Sequence, residues 1–341
     1  MIGNLTPLTQ TDLEQWWERV PGARRFLSTL GREAEKCRAL AVDLEGEDAE
    51  EFAPIFAEEM KRRNYSLVIE RLTLSASMTP DEFVMRLAER FEPHYMPDLL
   101  SGSLMTDVAR KRILAGYVAV AEVEGRATWL ADVINDFNRV EDAVKGTIIF
   151  LTAELPTQFT IRLTDFITPY DVQFFAINQM ESARLSSTEK LYTATLTAKL
   201  AGTSALLAKN LASAELYTDG QRLVEDVFGA SYQKRKYERA VWETQIQFAL
   251  PIVETVREKL IARNLNGLKE LLPKTDEFGK TLDDPWDMEL RHLHYYGGSV
   301  KLFSQSDWDV LEMVYRARND LSHLDMIDKE RLDKIFSLTD F

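Results

Sequence analysis

The sequence predicts an α/β domain with a mostly parallel, doubly wound sheet over residues 1–180, followed by an all-α helical domain over residues 181–341. Three observations carry that expectation. The chain has 341 residues, more than one core commonly serves, since single hydrophobic cores stop growing near ~250–300 residues. Its first half alternates short β-branched runs with amphipathic stretches, and after about residue 180 those runs cease. The composition, 45% hydrophobic and 28% charged, is that of a globular protein and indicates neither disorder nor a fibrous class.

Five runs have strand length and composition: 38–44, 65–71, 117–123, 147–152 and 171–177. Four of them are nearly continuous in apolar residues, the pattern of strands covered on both faces. Helical patterns fill the gaps at 12–29, 49–63, 79–90, 106–114 and 126–144. Strand and helix in alternation imply right-handed crossovers and hence a doubly wound sheet. Beyond residue 180, the segment 187–215 is rich in Ala, Leu, Thr and Lys and reads as one long helix or a helix pair, with Asp219-Gly220 closing the turn after it. Segment 234–263 repeats Trp242, Ile246, Leu250, Val253, Val256 and Leu260 at helical spacing, with a kink expected at Pro251. Residues 272–286 hold two prolines and several acidic residues and read as a loop. A last long helix is expected from about 307 to 323 with Ser306 as its N-cap, and a shorter one from 328 to 336.

Charge narrows the classes of partner. The 41 basic and 55 acidic side chains give a net charge of −14, which repels polyanions on average and argues against constitutive coating of DNA. Screening confines that field to about 8–10 Å at physiological salt, so a local basic face still suits RNA. The single cysteine, Cys37, has no disulfide partner and no neighbouring metal ligand, and reads as a small core residue. No apolar run approaches the ~18–20 residues of a bilayer crossing, and residues 1–10 lack the parts of a signal peptide. A cytoplasmic location with no membrane partner is therefore expected.

A doubly wound sheet with a helical second domain is similar to nucleotide-hydrolysing proteins of the AAA and STAND type. Those proteins place G-x-x-x-x-G-K-[ST] between the first strand and its helix, so that backbone amides and one Lys cradle phosphates. Here the turn after Leu44 reads Glu45-Gly-Glu-Asp-Ala-Glu-Glu51. Five carboxylates stand where glycines, a lysine and a hydroxyl are needed; they repel a triphosphate and complement the helix dipole themselves. The strand ending in Glu122 has the form of a Walker B strand. The strand 147–152, followed by Ala153-Glu154-Leu155-Pro156, occupies the place of the AAA polar sensor. The element order over residues 1 to about 180 thus resembles a degenerate AAA domain lacking its phosphate loop, which implies partner recognition without a nucleotide or other cofactor, and no ATPase activity.

Three of the four histidines, His292, His294 and His323, lie in the last fifty residues. The most suggestive stretch is Arg318-Asn319-Asp320-Leu321-Ser322-His323. Metal-free RNA cleavage needs a group titrating near neutrality to move a proton at the 2′-hydroxyl or the leaving oxygen, a task for His. It also needs a fixed cation at the phosphorus centre, which the planar fork of Arg supplies. Asn319 and His323, four apart, share a helix face, so Asn319 is suited to orient the imidazole. Arg318 is five residues from His323 and points elsewhere; its long side chain or a partner subunit must close the gap. The pattern resembles the R-x4-6-H motif of HEPN domains, helical bundles that are often metal-independent ribonucleases and often dimers, in which Arg and His of two protomers meet in one cleft. The resemblance covers residues 185 to 341. It implies RNA as a partner, a homodimer, Arg318 steadying the scissile phosphate, His323 as acid or base, and Asn319 orienting.

Other readings of these residues stay open at this stage. Arg316, Arg318 and His323 also suit a solvated helix end that complements the C-terminal dipole. The basic run Lys234-Arg235-Lys236 either contacts an RNA backbone or forms a solvated helix face. Arg291-His292-Leu293-His294, with Tyr295 and Tyr296, offers a metal site, a base-stacking patch or an aromatic helix end; lacking an acidic partner at ligand spacing, it is expected to pack the bundle. Together the resemblances imply a HEPN-like RNA-binding or RNA-cleaving effector joined to a partner-recognition domain, a pairing that looks like bacterial phage-defence or toxin–antitoxin modules. The alternative is a non-enzymatic scaffold whose acidic exterior attracts a basic protein.

Overall fold

The computed structural model describes residues 5–45, 47, 49–64, 66–98, 102–125, 127–152, 158–275 and 279–338. These fall into two compact units, one of residues 5–178 with 201–210 and one of residues 179–200 with 211 onward. The first is the α/β unit. It runs α1 (Gln10–Glu14), a π-helical turn (Gln15–Arg19), α2 (Pro21–Ala34), β1 (Ala39–Asp43), α3 (Ala49–Arg63), β2 (Val68–Ser75), α4 (Pro80–Phe91), α5 (Leu104–Arg110), β3 (Tyr117–Glu124), α6 (Leu130–Asn138), β4 (Thr147–Leu151), β5 (Thr160–Arg162) and α7 (Pro169–Gln179).

The five strands form one sheet in the order β2-β3-β4-β1-β5, with every pair parallel. All five residues of β1 and of β4 are buried, as the continuous apolar runs require. Alternate residues feed different cores. Ala39, Ala41, Ala119, Ala121, Ile148 and Phe150 pack with Phe83, Leu87, Ile134 and Phe137 of α4 and α6. Behind the other face lie Trp17, Phe26, Phe52 and Phe56, whose rings pack in a chain at 5.3–6.0 Å. Both faces are covered, so the sheet is doubly wound.

Three sequence expectations are corrected here. Residues 171–177 are helical, within α7, and the fifth strand is instead the three-residue β5. The reason is local: Pro169 sits in the first turn, Asp171 accepts from the backbone and hydroxyl of Thr168 at 2.8 and 2.7 Å, and its own N–H donates back to Thr168 Oγ1 at 3.3 Å. That capping box outweighs the β-propensity of Val172, Phe174, Phe175 and Ile177. Asp171 also accepts from the Gly22 N–H at 2.8 Å, and a Cβ on Gly22 would lie 2.5 Å from the Phe166 carbonyl, so only glycine permits the approach. The single helix expected over 12–29 is broken before Pro21 into α1, the π turn and α2. Cys37 is not a core residue. It is partly exposed with a positive φ of 53°, and its thiol donates to the Ala143 carbonyl at 3.0 Å. The expected starts at 65 and 126, and the 153–156 segment, lie at or within residues outside those described.

The chain continues through α8 (Ser187–Ala201), α9 (Ala205–Leu211), α10 (Ala214–Thr218), α11 (Gly220–Phe228), α12 (Lys234–Arg263), α13 (Leu265–Leu271), a short antiparallel ladder of β6 (Lys274–Thr275) and β7 (Thr281–Leu282), α14 (Leu290–His292) running into a π-helical turn (Leu293–Gly297), α15 (Gln305–Ser322) and α16 (Lys329–Ser337). Helix α9 groups with the α/β unit. The segment read as one helix or a pair over 187–215 is therefore α8, α9 and the start of α10, and α12 runs on through Pro251. The expected loop at 272–286 carries the small ladder. Ser304, not Ser306, caps α15, because Ser304 Oγ accepts the Asp307 N–H at 3.1 Å.

Helices α12 and α15 are the spine of the helical unit. Val253, Val256 and Leu260 pack on Leu311 and Val314 in one core. Trp242 Nε1 donates to the Leu321 carbonyl at 2.9 Å, and Arg263 reaches Asp307 at 3.1 Å, so the two helices are antiparallel. The buried Gln245 amide brackets Ile327, donating to its carbonyl at 2.7 Å and accepting its N–H at 2.8 Å, which fixes the chain just after α15.

Candidate functional site

Two places in the fold invite a ligand. In a doubly wound sheet, ligands bind outside the carboxyl ends of adjacent strands whose connections leave in opposite directions. Strands β1 and β4 meet that condition, since β1 leads toward β2 and β4 leads to β5 on the other side of β1. The loop after β1 fills this position with its own bonds. Asp43 Oδ1 accepts the Glu45 N–H at 2.9 Å, Glu45 accepts from the Thr164 hydroxyl at 3.3 Å, and Glu47 accepts the Ala205 N–H at the start of α9 at 2.7 Å. Glu50 and Glu51 stand in the first turn of α3, where carboxylates complement the dipole. A helix start that other proteins give to a phosphate is here already occupied by carboxylates. Glu122 is half-buried on β3, in register with Leu151 and Thr73. Among the described residues no group of three or more His, Cys, Asp or Glu side chains is placed to hold a metal ion.

The second place is a cavity of about 390 Å³ between α12, the chain around Trp286 and α15, within the ~300–1,000 Å³ usual for small-ligand sites. Arg257 builds its wall. It donates to the carbonyls of Trp286 and Met288 at 3.1 and 2.9 Å and to Glu254 at 2.8 Å, so α12 holds the 286–288 segment in place. Asp284 accepts the Trp286 N–H at 3.0 Å and fixes the turn from the other side. Arg318 and Asn319 line the same cavity from α15. Neither side chain has a hydrogen-bond or ion-pair partner among the described residues, nor does Asp287 on the opposite wall. Arg316, two residues before Arg318, is by contrast bonded to Glu312 at 2.7 Å.

His323 is exposed at the C-cap of α15, with backbone φ −99° and ψ 14°, and it does not line the cavity. It lies five positions along the helix from Arg318, a rise of ~7.5 Å and a turn of about 140° around the axis. No hydrogen bond joins the Asn319 amide to its imidazole among the described residues. Within one chain, then, Arg318 and Asn319 come together and His323 stands apart, its imidazole also without a partner among the described residues.

Lys234, Arg235 and Lys236 form the exposed first turn of α12. Because α12 and α15 are antiparallel, this turn and His323 lie toward the same end of the pair. Lys234 is 3.6 Å from Glu238, while Arg235 and Lys236 have no carboxylate partner among the described residues. Cations here oppose the helix dipole, an arrangement that an added anion relieves.

The His-rich segment packs the bundle. His294 stacks on Trp308 and Tyr315, with ring centroids 5.0 and 4.5 Å apart, and its Nε2 meets Glu312 at 2.5 Å. Glu312 loses solvent on packing, which alone raises its pKa; the bonds from His294 and Arg316 outweigh this and hold it below the usual carboxylate range. His292 is buried, its Nδ1 accepting the Glu289 N–H at 3.1 Å. Sequence reasoning missed Trp286, Asp287 and Arg257 as site residues. The available signal was Asp284-Pro285-Trp286, a capped turn presenting an aromatic ring in a polar segment.

No family model matches the chain, and no curated protein matches it. A solved structure described as "Structure of Drosophila ORC bound to DNA" is similar over 97% of this chain and 94% of that chain, at 11% identity and a TM-score of 0.33. A likeness that distant carries no argument about function. Among the described residues no helix is long and apolar enough to cross a membrane.

Proposed function

We propose that this protein is a HEPN-like, cytoplasmic RNA-binding protein whose helical unit cleaves RNA without a metal when two copies meet, joined to an α/β unit that recognises a partner without using a nucleotide. What supports the reading is a single observation: among the described residues the side chains of Arg318, Asn319 and His323, on the last turns of α15, have no hydrogen-bond or ion-pair partner, while Arg239, Arg257, Arg263, Arg316 and Arg331 of the same unit each hold a carboxylate. A guanidinium and an imidazole kept free are available to a phosphate and to a proton in flight. Since the two diverge around the helix, the complete acid, base and cation set requires a second protomer. Arg235 and Lys236 add cations for the flanking backbone.

The test is cleavage of single-stranded RNA in the presence of a metal chelator. Wild-type protein should cleave, and Arg318→Ala combined with His323→Ala should lower the rate by about 10²–10⁴, the usual contribution of positioned acid–base groups. Unchanged cleavage by the double variant would remove these residues from the mechanism.

A second reading, a scaffold without enzymatic activity, is favoured by one feature of the α/β unit. Tyr170, Phe174 and Ile177 line one side of α7 and are 79%, 42% and 37% exposed, opposite the buried Val172, Phe175 and Ala176. A stripe at this spacing is the anchor pattern of a helix-mediated contact. A stoichiometric protein partner lost on Phe174→Asp, from a protein with no nuclease activity, would favour the scaffold.

A further inference from the structure

The cavity holds more than the motif requires. Its charges pair off unevenly: Arg257 holds Glu254 and Arg291 meets Glu289 at 3.3 Å, which among the described residues leaves Arg318 as a cation and Asp287 as a carboxylate without an ion-pair partner on one small cavity. Beside them stand the half-exposed Trp286 ring and the unpartnered Asn319 amide. A ligand complementary to this set carries an anion, a flat ring and a hydrogen-bond donor within the reach of one cavity. We infer that the cavity is a subsite for one unstacked ribonucleotide, with Arg318 on its phosphate, the Trp286 indole against its base, and Asp287 accepting from its ribose 2′-hydroxyl.

Each assignment follows from the chemistry of the group. A guanidinium binds phosphate oxygens through a planar fork. An exposed indole offers a face to any base, and such stacking is insensitive to sequence. A carboxylate bearing no partner accepts a hydroxyl donor, and the 2′-hydroxyl is the group that separates RNA from DNA. The wall is rigid where it needs to be, because Arg257 and Asp284 fix the backbone on both sides of Trp286. The subsite accounts for recognition of one base in a strand whose flanking phosphates meet the basic turn of α12, and it rests on the RNA-binding reading given above.

Titration of the full chain with adenosine 5′-monophosphate, followed by calorimetry and by tryptophan fluorescence, tests it. The mononucleotide should bind saturably, and ribose 5-phosphate and inorganic phosphate at least 10-fold more weakly. Arg318→Ala and Trp286→Ala should each weaken binding about 10-fold, in line with the loss of a charged contact or of one stacked base. Trp286→Phe should retain most of the affinity while removing the fluorescence change. Wild-type protein should prefer adenosine 5′-monophosphate to its 2′-deoxy form, and Asp287→Asn should bring the two together. Absence of saturable binding at millimolar concentration, or binding untouched by Arg318→Ala and Trp286→Ala, overturns the subsite. The same variants probed with a single-stranded oligoribonucleotide separate the two ideas. RNA binding lost with Arg318→Ala but indifferent to Trp286→Ala sinks the subsite and spares the RNA reading. Mononucleotide binding without RNA binding spares the subsite and sinks that reading.

Discussion

The loop at the carboxyl end of β1 and the cavity between α12 and α15 are both rich in charge, and they spend it in opposite ways. In the α/β unit, Asp43, Glu45 and Glu47 bond to Glu45 N–H, Thr164 and the start of α9. Every one of those oxygens closes the protein upon itself. In the helical unit, Arg257 and Asp284 brace one wall, carrying Trp286 and Asp287, of a cavity that Arg318 and Asn319 line from α15. The lesson concerns what marks a ligand site. Density of charge does not; polar groups left unsatisfied by neighbours that are themselves held rigid do. The described carboxylates at the position that fold geometry favours for a nucleotide are engaged in bonds of the fold, and the chemistry proposed above sits where tertiary packing assembles it.

That contrast can be broken by mutation, beginning with the largest effect. Phe52→Ala removes a fully buried ring from the Trp17–Phe26–Phe56 chain, and large-to-small changes of this kind cost about 3–5 kcal/mol. Chemical denaturation should show the loss in the α/β unit, while RNA affinity below the transition stays that of wild type. A parallel loss of RNA affinity would move the binding site out of the helical unit. Glu47→Ala should cost about 1 kcal/mol through the lost bond to the Ala205 N–H, again without changing RNA affinity. If Glu47→Ala created nucleotide binding, the loop would be an autoinhibited phosphate site and the comparison would fail.

Two smaller effects sharpen the account of the helical unit. Replacing Arg235 and Lys236 together by Ala should lower the slope of log affinity against log salt by about 1.4, at ~0.7 per phosphate contact for a single strand. An unchanged slope would reduce that turn to a solvated face. Glu312 gives the pH dependence. Its folded pKa lies below the ordinary value because His294 and Arg316 outweigh desolvation, so its stabilisation is present above the unfolded pKa and is lost as pH falls through the folded one. Glu312→Gln should therefore cost the helical unit more at neutral pH than at acid pH, where the carboxyl is protonated, as read from urea midpoints. Equal losses at both pH values would assign the residue a packing role alone.

Much of the fold was legible because its signals were redundant. Strands β1, β3 and β4 are continuous apolar runs, and α3 and α12 begin and end where the periodicity does. Residues 171–177 misled because their composition is that of a strand, while Thr168-Pro169-Tyr170-Asp171, just before and at their start, dictates a helix. Strand β5 has three residues, too few for a period to register. Ser304 and Ser306 are both eligible caps by residue type, and it is the folded backbone that brings the Asp307 N–H to the Ser304 hydroxyl. At the site, Arg318 and Asn319 were visible because motif and helix put them side by side. Trp286 and Asp287 were not, since it takes tertiary contacts, the bonds of Arg257 on α12 and the packing of Met288 with Leu311 and Val314, to bring their turn to α15.

The most direct test is the affinity of the full chain for a labelled single-stranded RNA, measured by fluorescence anisotropy at fixed salt for wild type and for Arg318→Ala. Binding weakened about 10-fold or more, with the thermal transition unmoved, is the result predicted for a cation held open for phosphate. An affinity equal to wild type would mean that the unpaired guanidinium of α15 is a surface charge and nothing more.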